Sequence, residues 1–362
     1  GGRSGEHAVS LVSARSIMNA LDPEKYTPVE IGITREGLWL TGENVLEAMT
    51  RGEIGRLSHA TLLPDPTGGG LYRVEPSAHG VVLELLGSLD VVFPVLHGTF
   101  GEDGTIQGLL EMADLAYVGA GVVGSAVGMD KGIFKDLMRA NRIPVLEAIV
   151  ALRSEITAGP EGVIHRAEAL APYPLFTKPA NLGSSVGITK CRTRSDLLEG
   201  LMDAAQYARR VLVERGLAHA REIEVSVLGN DQPKASVLGE VVPAADFYTY
   251  EAKYHDDRSL LHIPAPVSPE VAAQAREWAV LAYRAIDAAG MARVDFLLDK
   301  QSGALYLNEL NTIPGFTQIS MYPKLWEASG LPYPALVDQL IELALERKAA
   351  RDATVRVYTP GQ

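Results

Sequence analysis

Short β-rich runs and stretches of helical period take turns along this chain, and that alternation limits it to a layered α/β fold more firmly than any single residue does. Apolar residues recur at helical spacing over 10–20 and stop at Asp22-Pro23. Runs 29–33 and 38–40 predict short strands, and the polar, Gly- and Pro-containing stretch 50–70 predicts a surface loop. The β-rich run 89–96 ends in His97-Gly98, where a parallel strand would deliver its carboxyl end to a ligand. Helical period returns at 105–113 and 130–141, with Ile143-Pro144 as the break. A strand at 174–179 leads through the small-residue loop 181–187 to a return strand at 188–191, which predicts a hairpin. Helix 195–210, strand 211–214 and the period-two run 222–228 follow. The longest helix is expected at 269–289, strands 292–298 and 304–310 pair around Gly303, and an amphipathic helix covers 334–347. There is no internal repeat.

At 362 residues the chain should hold about 2–3 domains. Its 47% hydrophobic and 22% charged residues suit a packed core. A net charge of -12 repels nucleic acid and anionic membranes, so neither is an expected partner. The apolar window 115–129 is too short and glycine-rich to span a bilayer. Cys191 is the single cysteine, which excludes an internal disulfide and a Cys-rich zinc site and favours a reducing compartment. The opening Gly-Gly-Arg-Ser-Gly has no secretory pattern and no Met, as if trimmed.

Chemistry concentrates in the two late strands. Arg293 and Asp295 share one strand face, as do Glu309 and Asn311, so a hairpin can gather two carboxylates and an amide beside a guanidinium. Hard oxygen donors next to a cation suit Mg²⁺ held together with phosphate; a solvated strand face shows the same alternation. The turn Asn311-Thr-Ile-Pro-Gly-Phe316 then offers backbone N–H groups to an anion, or is a plain turn. Lys131, Lys178 and Lys253 are the cations a triphosphate would need, although any one alone reads as a surface lysine. Gly183-Ser184-Ser185-Val186-Gly187 can cover phosphates, whereas no Walker loop occurs. Gly119-Ala-Gly-Val-Val-Gly124 matches a dinucleotide fingerprint in letters but lacks the acidic residue about 20 positions on, and is read as a flexible connection.

Taken in order, His97-Gly-Thr-Phe-Gly-Glu-Asp-Gly, Met129-Asp-Lys, Lys178-Pro, Gly183-Ser-Ser-Val-Gly, Tyr250-Glu-Ala-Lys-Tyr, Arg293-Val-Asp and Glu309-Leu-Asn-Thr-Ile-Pro-Gly-Phe-Thr span nearly the whole chain. In this set the chain resembles the D-alanine:D-alanine ligases of the ATP-grasp superfamily. The resemblance implies an α/β, three-domain ATP-grasp fold: an N-terminal parallel-sheet domain at 1–119, a central domain at 120–214 and a C-terminal domain at 215–362, with ATP between the last two. The family's first strand would precede Gly1, and a sheet without it is expected to fold less well.

The resemblance also implies the chemistry. One D-alanine carboxylate attacks the γ-phosphate of ATP, and the amine of a second displaces phosphate from the acyl phosphate, yielding the dipeptide for peptidoglycan precursors. Lys131 and Lys178 match nucleotide-phosphate lysines, Lys253 a γ-phosphate contact, and Arg293 the guanidinium at the transferred oxygens. Ser185 belongs to the phosphate-covering loop, and Glu214 and Glu222 match contacts to the adenine amino group and the ribose. Asp295, Glu309 and Asn311 match ligands of two Mg²⁺ ions, which Mn²⁺ can replace. Glu6 matches the carboxylate that holds the first alanine's ammonium, linked to a serine and a tyrosine matched by Ser184 and Tyr254. His97 falls at a substrate-side histidine, and Gly315 and Ser320 at contacts to the second alanine's carboxylate. A cytoplasmic homodimer is implied as well. The alternatives are a D-alanine:D-lactate ligase, another ATP-grasp carboxylate–amine ligase, or a non-catalytic ATP-binding regulator; the last conflicts with the retained cations and carboxylates.

Overall fold

The computed structural model describes residues 1–183, 186–242 and 260–355. Helix α1 (His7–Ala20) opens the chain, and α2 (Val45–Arg51) lies between strands of a five-stranded antiparallel sheet, β1 (Ile31–Ile33), β2 (Trp39–Thr41), β3 (Ser58–Leu62), β4 (Leu71–Ser77) and β5 (Gly80–Gly87). Parallel pairing in this region, among the described residues, is confined to β6 (Val91–Val92) with β7 (Ala116–Tyr117), which flank α3 (Thr105–Met112). The expected strand at 89–96 is therefore short, because Pro94 cannot donate to a ladder.

Helices α4 (Val122–Met129) and α5 (Lys131–Ala140) follow. Gly121 is the N-cap of α4, so the stretch read as a flexible connection instead starts a helix. The Asp130 side chain caps α5 by accepting from the N–H groups of Gly132 and Ile133, both at 3.0 Å. A four-stranded sheet in the order β10-β9-β11-β8 comes next, from β8 (Ala148–Leu152), β9 (Leu175–Pro179), β10 (Thr189–Cys191) and β11 (Arg210–Arg215), backed by α6 (Arg153–Ala158), α7 (Glu161–Leu170) and α8 (Arg194–Tyr207). The expected β9–β10 hairpin is there, with Thr189 opposite Thr177.

The last sheet runs β14-β13-β12-β15-β16: β12 (Ala220–Leu228), β13 (Lys234–Val242), β14 (Leu260–His262), β15 (Met291–Asp299) and β16 (Leu305–Asn311). Helix α9 (Pro269–Ala285) lies on it through buried Ala275, Ala279 and Ala282, small residues that let the helix approach the sheet closely, together with the large buried ring of Tyr283. It ends short of 289, where Asp287 takes a φ of 58° and breaks the helical path. After α10 (Met321–Ala328), α11 (Tyr333–Asp352) is the longest helix among the described residues, at 20 residues against 17 in α9. Among the described residues no helix is long and apolar enough to cross a membrane.

Candidate active site

One cleft of about 690 Å³ gathers, among the described residues, every site residue expected from the sequence: Glu6, His97, Lys131, Lys178, Glu214, Glu222, Arg293, Asp295, Glu309, Asn311, Gly315 and Ser320. Ser184, Ser185, Lys253 and Tyr254 lie outside the described residues.

Strand register builds the acidic floor. Asp295 on β15 sits opposite Glu309 on β16 and Glu224 on β12, so three carboxylate residues form a row across three strands. Arg293, two positions along β15, donates from Nε and Nη2 to the two oxygens of Asp295 at 2.7 and 2.6 Å, and its Nε lies 3.0 Å from Glu224. Burial opposes its charge, but Asp295 and Glu224 outweigh that and raise the guanidinium pKa well above its ordinary value. Asn311 donates to Asp295 at 3.1 Å, and Lys131 lies 3.7 Å from Glu309 while donating to the Leu182 carbonyl at 2.9 Å. Glu224 was not singled out from the sequence, although it shares the period-two face of Glu222.

Among the described residues no three His, Cys, Asp or Glu side chains converge on a complete metal cage. Two carboxylates and one amide make a partial shell of hard oxygens instead, which suits Mg²⁺ that completes its coordination with water and phosphate. The donor chemistry therefore fits the expected metal.

A second cluster joins β9, β11 and α5. Lys178 on β9 donates to Glu214 on β11 at 2.6 Å, and Lys135 on α5 pairs with the other oxygen of the same carboxylate. Burial alone would raise the Glu214 pKa, but the two ammonium groups bring it down to about 2. Glu214 thus lines the cleft with its carboxylate already engaged by lysines.

The third part ties the turn after β16 to the N-terminal segment. His97 Nδ1 lies 2.9 Å from the Ile313 carbonyl and Nε2 lies 2.8 Å from Ser13 Oγ. A carbonyl only accepts, so Nδ1 carries the proton; burial lowers the ring's pKa and keeps it neutral, and Nε2 accepts from Ser13. Ser13 Oγ in turn accepts from the Phe316 N–H at 3.3 Å. Both ring nitrogens of His97 thus serve to dock the turn. Glu102, within the His97–Gly104 motif, is a further buried carboxyl residue of the cleft that the sequence pattern does not mark. Its two oxygens accept from the N–H groups of Gly98 and Ile313, at 2.9 and 3.1 Å. Gly98, at φ 80°, is required beside Glu6, because a Cβ there would lie 2.5 Å from Glu6 Oε2. Gly315 is pressed similarly against Ser320, whose Oγ a Cβ would meet at 2.8 Å.

Burial, reinforced by Glu6, pushes the Glu102 carboxyl up to about 8 from 4.5. The folded state therefore keeps a proton that the unfolded chain loses near pH 4.5. The resulting stabilisation is complete below that pH and is lost as pH rises through about 8. Glu102→Gln is expected to flatten the stability profile across that window, read from urea midpoints at several pH values; parallel profiles for the two proteins would refute the assignment.

Comparison with known proteins bears on this geometry. Residues 1–120 match the family model described as D-ala D-ala ligase N-terminus, and residues 137–342 match that of the D-ala D-ala ligase C-terminus. The chain belongs to the D-alanine:D-alanine ligase family. It is 50% identical over 359 residues to the D-alanine–D-alanine ligase of Heliobacterium modesticaldum, covering 99% of this chain and 96% of that one. Among solved structures, the D-alanine-D-alanine ligase from Coxiella burnetii is 37% identical with a TM-score of 0.83, covering 97% of this chain and 94% of that one. The VanG D-Ala:D-Ser ligase from Enterococcus faecalis is 32% identical, also at 0.83, covering 95% and 97%. As in the structural relatives of this ligase family, the fold is ATP-grasp.

Proposed function

We propose that this chain is an ATP-dependent, ADP-forming D-alanine:D-alanine ligase that supplies the dipeptide for peptidoglycan precursors. The observation that carries the reading is the Glu224–Asp295–Glu309 row with Arg293 seated in it, facing the same cleft as Lys131, Lys178 and Glu6. A carboxylate oxygen of the first D-alanine attacks the γ-phosphorus, the bond to ADP breaks, and an acyl phosphate forms. The deprotonated amine of the second D-alanine adds to the acyl carbon, and the tetrahedral intermediate expels phosphate.

In this reading Glu6 holds the first ammonium by charge-assisted hydrogen bonding. Lys131, Lys178, Lys253 and Arg293 draw charge from the phosphates, and the Gly315–Ser320 turn takes the second carboxylate. Glu222 meets the ribose, Glu214 stands on the adenine side, and Ser184, Ser185 and Tyr254 close over the reacting groups and exclude water. Asp295, Glu309 and Asn311 would hold two Mg²⁺ ions, or Mn²⁺, which neutralise phosphate charge when bound. The division at 1–119, 120–214 and 215–362 is supported by the separate sheets on either side of Glu214. A homodimer is part of the proposal, supported by the exposed apolar residues Val81, Val82, Leu83, Leu85 and Leu86 on β5, as is a cytoplasmic location, supported by the lone buried Cys191.

Coupled ADP release should require D-alanine and give one ADP and one phosphate per dipeptide. D-Serine and D-lactate are offered as second substrates in parallel assays. Faster turnover with either than with D-alanine would reassign the acceptor, and ADP release without D-alanine would reject the ligase reading.

A further inference from the structure

The buried Lys135 has no part in the chemistry just described, yet it touches the carboxylate of Glu214, to which Lys178 donates. Lys131 and Lys135 are four positions apart on α5 and so share a helix face. Lys131 reaches the cleft, whereas Lys135 turns inward to Glu214. Lys135 and Glu214 are each 2% exposed, and Lys178 is 13% exposed. One helix and two paired strands therefore meet at a Lys–Glu–Lys bridge that excludes nearly all water.

Two ammonium groups against one carboxylate leave this bridge with a net charge of +1. A surplus charge in so dry a place is costly unless counter-charge stands near; Glu309 and Glu222 supply part of it at Lys178, and an anion entering the cleft would supply more. Lys178 and Glu214 line the cleft whereas Lys135 does not, so Lys178 is the cation that presents the surplus on the cleft side. Without Lys135, Glu214 and Lys178 would form a closed neutral pair, and Lys178 would lose much of its drive to engage an incoming anion.

We infer that Lys135 is a positioning residue for nucleotide binding: by sharing the Glu214 carboxylate, it keeps the Lys178 ammonium available to a phosphate of ATP. The inference rests on the proposed placement of Lys178 at the nucleotide phosphates. It goes beyond that placement by assigning a function to a side chain that touches no substrate.

Steady-state kinetics of the full chain with ATP, Mg²⁺ and D-alanine test it. Lys135→Met should raise KM for ATP on the order of tenfold, with kcat at saturating ATP and KM for D-alanine changed by less than about threefold. Lys135→Arg, which keeps the charge, should restore KM for ATP. Lys178→Met measured alongside should also raise KM for ATP, and the two substitutions should be non-additive because they act through one carboxylate. An unchanged KM for ATP in Lys135→Met, with a raised one in Lys178→Met, overturns this inference alone. Unchanged values in both overturn the placement of Lys178. Should Lys135→Met fail to fold, Lys135→Gln, which can still donate to Glu214 without the charge, is measured in its place. Failure of both to fold would mark Lys135 as a structural residue and overturn the inference.

Discussion

Arg293→Lys is expected to lower kcat by on the order of 10²–10³-fold with little change in the thermal midpoint. Arginine is needed here for geometry as well as charge. Its planar fork engages both oxygens of Asp295 and also reaches Glu224, which fixes the plane of the guanidinium at the edge of the cleft. Lysine keeps the positive charge between the two carboxylates, so the acidic row is not left uncompensated. It cannot hold Asp295 at both oxygens and still offer fixed donors to a transferring phosphoryl group. Losing one preorganised donor of this kind typically removes about 2.7–4 kcal/mol of transition-state stabilisation. Arg293→Ala is a poorer probe, because removing one partner of a buried charge cluster can itself cost about 3–5 kcal/mol of stability. Turnover at saturating substrates, read with a melting curve, separates the two effects. Near-normal turnover in Arg293→Lys would mean that the fork does not contact the reacting phosphate.

Glu309→Gln should give the other large loss, at least about 100-fold in kcat/KM, together with a marked rise in the Mg²⁺ concentration needed for half-maximal ADP release. The substitution keeps the size and an oxygen donor but removes a negative charge opposite Asp295 and 3.7 Å from Lys131. Two consequences follow from that placement. The oxygen shell loses one of its carboxylates, and Lys131 loses a counter-charge that helps direct it into the cleft. Titrating Mg²⁺ against ADP release in both proteins distinguishes a metal role from a purely electrostatic one. An unaltered Mg²⁺ requirement would remove Glu309 from the ligand set.

The acidic floor was legible in the sequence because its parts are local. Arg293, Asp295, Glu309 and Asn311 lie on two consecutive strands joined by a short turn, and period two alone places each pair on one face. Glu224 was not legible in the same way, since its place opposite Asp295 depends on β12 pairing with β15 across an intervening helix and strands. The Lys135–Glu214–Lys178 bridge was hidden for a similar reason. A lysine in mid-helix reads as solvent-facing until the sheet that covers it is known. His97 was noticed as a residue at a strand end, but its use of both ring nitrogens to dock the Ile313 turn depends on contacts with Ser13 and Ile313.

The fold shows the same division between local and distant causes. Helix α5, with its Asp130 cap, and the β9–β10 hairpin match their local patterns closely. The hairpin β4–β5 went unread because its apolar residues 81–83 and 85–86 do not alternate and face solvent rather than the core. Helix α11 runs past the expected end because distant acidic residues extend it: Arg351 pairs with Glu111 and Asp114, and Lys348 reaches Asp114 at 3.3 Å.

The central claim is that a D-alanine carboxylate is activated by direct transfer of the γ-phosphoryl group before the amine attacks. D-Alanine labelled with ¹⁸O in its carboxylate reads this step, because the oxygen that attacks phosphorus leaves with it. With fully labelled substrate, each dipeptide formed should be accompanied by one inorganic phosphate bearing a single ¹⁸O. Unlabelled phosphate, with the ¹⁸O lost from the first D-alanine's carboxylate appearing in water instead, would contradict it.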